Sequence, residues 1–200
     1  MTGYSIALFF HLLSLLLAVV CTSLTGYAAL RARTAASADE ARQWLGLNRR
    51  VVTLFPAAGL GLLLTGGYMA HSIAAWSEPW LITSLTGLGC IVVLGAGVEG
   101  SRSRALGREL HANGLSDRAR ALARDPVAWS AKLLAPALML AVIFIITNKP
   151  TAAGSVIALS VAAIAGVAAA LPFWGHRERP ARQAALNPRP TFPTSEKPAQ

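Results

Sequence analysis

The sequence predicts an all-α protein, a polytopic transmembrane helix bundle of five spans, and three observations carry the prediction. Of 200 residues, 54% are hydrophobic and only 14% charged, with a mean hydropathy of +0.50, whereas soluble domains carry about 25% charged residues. Apolar runs long enough for a bilayer crossing recur along the chain, with the charges collected between them. Seventeen of the eighteen Lys and Arg fall on one side of the predicted spans, as the positive-inside rule sorts them.

The first span covers about residues 4–30. Met1 to Leu30 holds no charged side chain and as a helix would be roughly 45 Å long, enough to cross a ~30 Å hydrocarbon core with tilt. A secretory signal peptide is the rival reading. It lacks a basic n-region, its apolar run is about twice an ordinary h-region, and Val20 stands where a lipobox at Cys21 would need a small residue.

Arg31 to Arg50 is a charged connector in which Ser37 and Glu40 form a capping-box pattern, so a short interfacial helix running through Trp44 is expected there. Spans two and three, about 51–75 and 80–99, form a hairpin around a polar turn with His71, Trp76, Glu78, Pro79 and Trp80. Between Gly100 and Asp125, Leu106, Leu110, Leu115, Ala119 and Leu122 recur at helical spacing. They predict two amphipathic pieces broken at Asn113-Gly114 and lying on the membrane surface. Asp125-Pro126 caps the fourth span, about 127–147, with Lys132 near enough to its start to snorkel. Span five is about 151–174. Residues 175–200 are basic and proline-rich with nothing to bury, so a disordered tail is expected.

Only Lys149 stands on the side opposite the other seventeen basic residues, which puts the N-terminus outside and the C-terminus in the cytoplasm and requires an odd number of spans. Trp76 and Trp80 then fall at the outer interface, and Trp44, Trp129 and Trp174 at the inner one, as an aromatic belt predicts. The net charge of +9 is therefore a sign of membrane sorting and not of nucleic-acid binding, which needs a basic patch on a soluble surface.

Small residues mark helix contact faces in lipid. Candidates are Gly59, Gly66 and Gly67 in span two, with Pro56 as a kink; Gly87, Gly89, Gly95 and Gly97 in span three; and Ala158, Ala162 and Gly166 in span five. Span one carries His11, Ser14, Ala18, Thr22 and Thr25 along one face, which either turns inward or bonds back to its own helix.

His11 is the most informative residue, since an ionisable group inside a span needs a partner. It lies about seven residues, or roughly 10 Å, below the outer boundary. His71, near the outer end of span two, is the candidate second ligand for a b-type haem or for copper or zinc. The plainer alternative has His11 bonded to a neighbouring helix and His71 interfacial. Glu78 and Glu99 are expected to meet water or arginine, and Cys21 and Cys90 to serve as small packing residues. No phosphate-binding glycine loop, HExxH or GxSxG motif is present, so no catalytic residue is assigned.

FFHLLSLLLA, LFPAAGLGLLLTGG, SEPWLITSLTGLGCIVVL and FIITNKP resemble a family of bacterial integral membrane proteins grouped as a domain of unknown function, the DUF2269 type. The likeness covers about Tyr4 to Pro150, through His11, Pro79 to Leu81 and Lys149-Pro150; the fifth span and the tail extend beyond that family's four-span pattern. A histidine in the first of a few spans is more distantly similar to the copper-resistance D proteins and the membrane protoporphyrinogen oxidases, a likeness that implies copper or haem.

The expected protein is thus a multi-pass component of the bacterial plasma (inner) membrane. Its basic connectors contact anionic lipid, a membrane-protein partner or a second copy in a homo-oligomer. Two functions compete: a non-enzymatic accessory or small-molecule-handling component, and a haem- or copper-binding redox or transport protein using His11 and His71. The topology makes a direct prediction. A reporter fused after Gln200 is active only in the cytoplasm, and an external signal would overturn the five-span count.

Overall fold

A computed structural model describes residues 3–174, and the proposed tail lies outside them. The described chain is helical without strands, and five helices are long and apolar enough to cross a membrane: Gly3–Thr34, Ala38–Ser72, Pro79–Asn113, Asp117–Asn148 and Ala152–Trp174. Helix is what a bilayer demands, because lipid offers backbone N–H and C=O groups no partner.

Local chemistry sets the helix ends. Helix α1, Gly3–Thr34, closes with Arg31 and Arg33 in its last turn, where cations oppose the partial negative charge of the carbonyl end. Ser37 then caps α2, Ala38–Val52: the Glu40 N–H donates to Ser37 Oγ at 3.2 Å, and the Glu40 carboxylate accepts from the Ala36 N–H at 3.0 Å. Helix α2 therefore starts where the capping box places it but continues past Trp44 to Val52. At Thr53 and Leu54 the backbone stays right-handed helical, and Pro56 falls in the first turn of α3, Phe55–Ser72. No intrahelical donor is needed there, so Pro56 starts a helix and does not kink one.

Ala74, at φ 53°, and a 3₁₀ turn over Ala75–Ser77 lead into α4, Pro79–Val92. A π-helical stretch, Val93–Glu99, joins α4 to α5, Gly100–Asn113, with helical backbone throughout. Gly114, at φ +65°, breaks the chain as Asn113-Gly114 predicts. Ser116 caps the short α6, Asp117–Ala123, and Asp125 caps α7, Pro126–Asn148, accepting from the Val127 N–H at 3.4 Å. Lys149, at φ 46°, ends α7, and α8 is Ala152–Trp174.

The helices sort into two groups. Helix α1 runs against α2 and α3 along its length, while α4, α7 and α8 form a second group centred on α7; α3 and α4 make no more than marginal contact. The span-two and span-three hairpin is therefore a connection in sequence, and each of its arms packs elsewhere. Trp129, Ala131, Leu138, Ala141 and Ile145 are the buried residues of α7.

Glycine decides the close approaches. A Cβ on Gly61 would collide with the Ser14 hydroxyl, and one on Gly66 would lie 3.1 Å from the His11 ring, so these two positions let α1 lie close against α3. A Cβ on Gly87 would lie 2.8 Å from Val142 and 3.2 Å from Leu159, and one on Gly166 would lie 2.8 Å from the Leu134 Cα. Gly59, Gly89, Gly95 and Gly97 have nothing within 4 Å. The expected glycine face of span three thus reduces to Gly87, joined by Ser84 and Trp80 as the buried positions of α4.

At the basic end, α2, α5 and α6 close on a core of Ala35, Ala41, Leu106, Leu110 and Ala119, with Leu45, Leu115 and Leu122 packed against it. This corrects the expectation of amphipathic pieces lying on the membrane surface. Their apolar stripe faces α2, and α5 leaves the membrane as the continuation of α4. The reason is that no proline lies between Val92 and Asn113, while α2 offers an apolar partner. Arg42 ties the cap together, donating from Nη2 to the Leu110 carbonyl at 2.7 Å. Asn113 and Ser116 donate to the Glu109 carboxylate at 3.0 and 2.8 Å and hold it below the usual carboxylate range, with Arg118 adding to the effect.

A methyl added at Gly166 meets the α7 backbone at Leu133 and Leu134 and the short Ala137 side chain, none of which can swing away. Gly166→Ala is expected to push α8 from α7 and destabilise the protein by about 1–3 kcal/mol, whereas Gly89→Ala, into open space, is neutral. Thermal unfolding in detergent checks the contrast.

Candidate functional site

Two clusters of polar side chains interrupt the apolar bundle. The first joins α1 and α3. His11 is half-buried with Nδ1 3.0 Å from Thr65 Oγ1, and the Thr65 hydroxyl lies 2.6 Å from the Gly61 carbonyl, to which it donates. A hydroxyl has one proton. With that proton on Gly61, Thr65 accepts from His11, which puts a hydrogen on Nδ1. The inward stripe of α1 is therefore real at His11 and Ser14. Further down, Thr22 and Thr25 bond back to the carbonyls of Ala18 and Thr22, so at these positions the back-bonding alternative describes the hydroxyls.

His71 stands in the last turn of α3 and is exposed. It lies six residues past Thr65, roughly 9 Å along the axis, and at about 100° per residue it points well away from the face formed by Thr65, Gly66 and Gly61. The structure brings His11 to Thr65 and does not bring the two imidazoles together. Among the described residues, no group of three His, Cys, Asp or Glu side chains is placed to hold a metal ion. His11 thus faces Thr65, while His71 stands at the exposed end of α3.

The second cluster lies at the basic end, where the π-helical stretch meets α7. Wider turns carry each later side chain around the axis relative to an α-helix, and Glu99 ends the stretch 2.5 Å from Lys132 Nζ. Their side chains are 21% and 16% exposed. Lys132 was expected to snorkel and Glu99 to meet water or arginine; instead each neutralises the other, which removes the penalty of an isolated charge near the apolar core. One turn toward the end, Arg102 pairs with Asp125 at 3.2 Å. Arg33, from the last turn of α1, lies over Trp129 and Phe173, 5.2 and 4.9 Å from the ring centroids, and these rings stack at 4.5 Å. The indoles of Trp129 and Trp174 donate to the Ala123 carbonyl and to Ser130 Oγ.

Sequence reasoning missed this second cluster, although a signal existed: Glu99 and Lys132 are opposite charges just inside the same end of consecutive spans. At the other end, Lys149 lies 5.4 Å over the Trp80 ring. Cys21 is buried and Cys90 exposed, both as free thiols. A groove of about 670 Å³ between α4, α7 and α8, lined by Thr86, Cys90, Leu138, Leu159 and Ala163 among others, is apolar and carries no acid, base or nucleophile pair. Comparison with known proteins found no matching family model, curated protein or solved structure.

Breaking the half-buried pair from one side leaves an unpaired charge. Glu99→Gln is expected to lower stability by about 3 kcal/mol, and the double variant Glu99→Gln with Lys132→Met to recover most of it. Unfolding in detergent of the two single variants and the double variant measures the coupling.

Proposed function

We propose that this chain is a multi-pass protein of the bacterial plasma membrane, with its N-terminus outside and its basic end in the cytoplasm. It acts as a non-enzymatic accessory or small-molecule-handling component. The observation that carries the reading is the cap of α2, α5 and α6. Its apolar side chains close on one another, while Arg49, Arg50, Arg104, Arg108, Arg118, Arg120 and Arg124 remain exposed at one end of the bundle. Such a cap presents cations, each worth about 1 kcal/mol beside an anionic leaflet, and it carries no catalytic constellation. Anionic lipid is accordingly the first contact of this end, with a membrane partner or a second copy as further occupants. The likeness of residues 4–150 to the DUF2269-type membrane proteins belongs to the same reading and adds no reaction to it.

A single observation favours the rival: Thr65 engages Nδ1 of His11, so Nε2 is the nitrogen that would ligate haem iron or copper. His71, exposed at the end of α3, is the second ligand which that reading names. The absorption spectrum and metal content of detergent-purified protein from haem- and copper-replete cells separate the two. A colourless, metal-free preparation is expected. A Soret band or stoichiometric copper that disappears in His11→Ala would overturn the proposal.

A further inference from the structure

We propose that Arg33 and Arg124 form a binding site for the phosphodiester of an anionic phospholipid, between the last turn of α1 and the stacked rings of Trp129 and Phe173. The inference rests on the reading that the basic end faces an anionic leaflet, and it names one place where a lipid is held.

Charge is the first argument. Arg33 has no carboxylate partner among the described residues, and its Nη1 is covered without a hydrogen-bond acceptor. The two aromatic faces attract its charge, yet they satisfy few of the five N–H groups a guanidinium carries. Arg124, at the end of α6, which packs on α1, repels it as a like charge and has no ion pair among the described residues. Of the described carboxylates, Asp125 is engaged by Arg102, Glu99 by Lys132 and Glu40 by Arg31. Among the described residues neither of the two cations has an ion-pair partner.

Shape and depth are the second. A tetrahedral oxyanion accepts a guanidinium fork through two oxygens and can bridge two arginines. Trp129 and Trp174 bring indole N–H groups to this end of the spans, the level at which tryptophan meets lipid headgroups. Phosphodiesters lie at that level. An anionic headgroup also lowers the repulsion between Arg33 and Arg124, which a zwitterionic one does less well.

The test uses the full chain in lipid nanodiscs made with phosphatidylglycerol or with phosphatidylcholine, reading melting temperature and the lipid retained in native mass spectrometry. Wild type is expected to melt several degrees higher with phosphatidylglycerol and to retain it. Arg124→Gln, an exposed change, and Arg33→Lys, which keeps the charge over the rings but removes the fork, are each expected to weaken retention about tenfold. Arg108→Gln, which loses the same single charge as Arg124→Gln, is expected to weaken retention less. Equal loss in that control means diffuse attraction and overturns the site while the lipid-contact reading stands. No dependence on phosphatidylglycerol in wild type overturns both. Displacement by millimolar inorganic phosphate would assign the site to a free anion. Retention that appears only in Glu178→Gln would assign it to the chain's own tail. Either result overturns the lipid assignment.

Discussion

Lipid hydrocarbon is as apolar as the side chains that face it, and this absence of a hydrophobic drive between helices is the constraint on which the structure depends. Helices in such a solvent stay together where backbones approach closely or polar groups meet. Both occur at a few points here. Gly61 and Gly66 admit Ser14 and His11, Gly87 admits Val142 and Leu159, and Gly166 sits on the backbone of α7. Elsewhere leucine, valine and phenylalanine project outward, with Leu64, Leu140 and Ile164 about two-thirds exposed or more. In water such a surface would aggregate; in a bilayer it is the ordinary outer face of a bundle.

The two ends solve a different problem. Where the spans leave the hydrocarbon, water returns and the hydrophobic effect acts again. The basic end accordingly builds a small core of its own from Leu106, Leu110 and Ala119 against α2, and its charges sort by depth. Glu99 and Lys132, nearest the apolar region, neutralise each other. Arg33 is half-buried over two rings, and the outermost arginines stand in the open.

Much of this order was readable before any coordinates. Ser37 and Glu40, Asp125-Pro126 and Asn113-Gly114 each act within a few residues, and each does in the fold what its local chemistry implies. Pro56 misled because the same residue kinks a helix interior or opens a helix, and the difference depends on whether α2 continues to it. The cap helices misled because an amphipathic stripe does not say whether lipid or another helix covers it. For the candidate sites, His11 was visible as an ionisable group in a span, but Thr65 as its partner was not. Glu99 and Lys132 were both visible, and their meeting depends on the extra turn width of a π-helical stretch that composition does not announce.

The sequence by itself determined that the chain is helical, that five of its segments are long and apolar enough to cross a membrane, and that its cations collect between them. These follow from backbone hydrogen bonding and from the transfer of side chains between water and lipid, both properties of single residues and short runs. Only the tertiary structure decided that α3 joins α1 while α4 joins α7 and α8, that His11 meets Thr65, and that Arg33 lies on Trp129 and Phe173 without a counter-charge among the described residues. Helix partners in lipid are chosen by the fit of small side chains and by single polar contacts, and that fit belongs to pairs of surfaces that no one stretch of sequence contains.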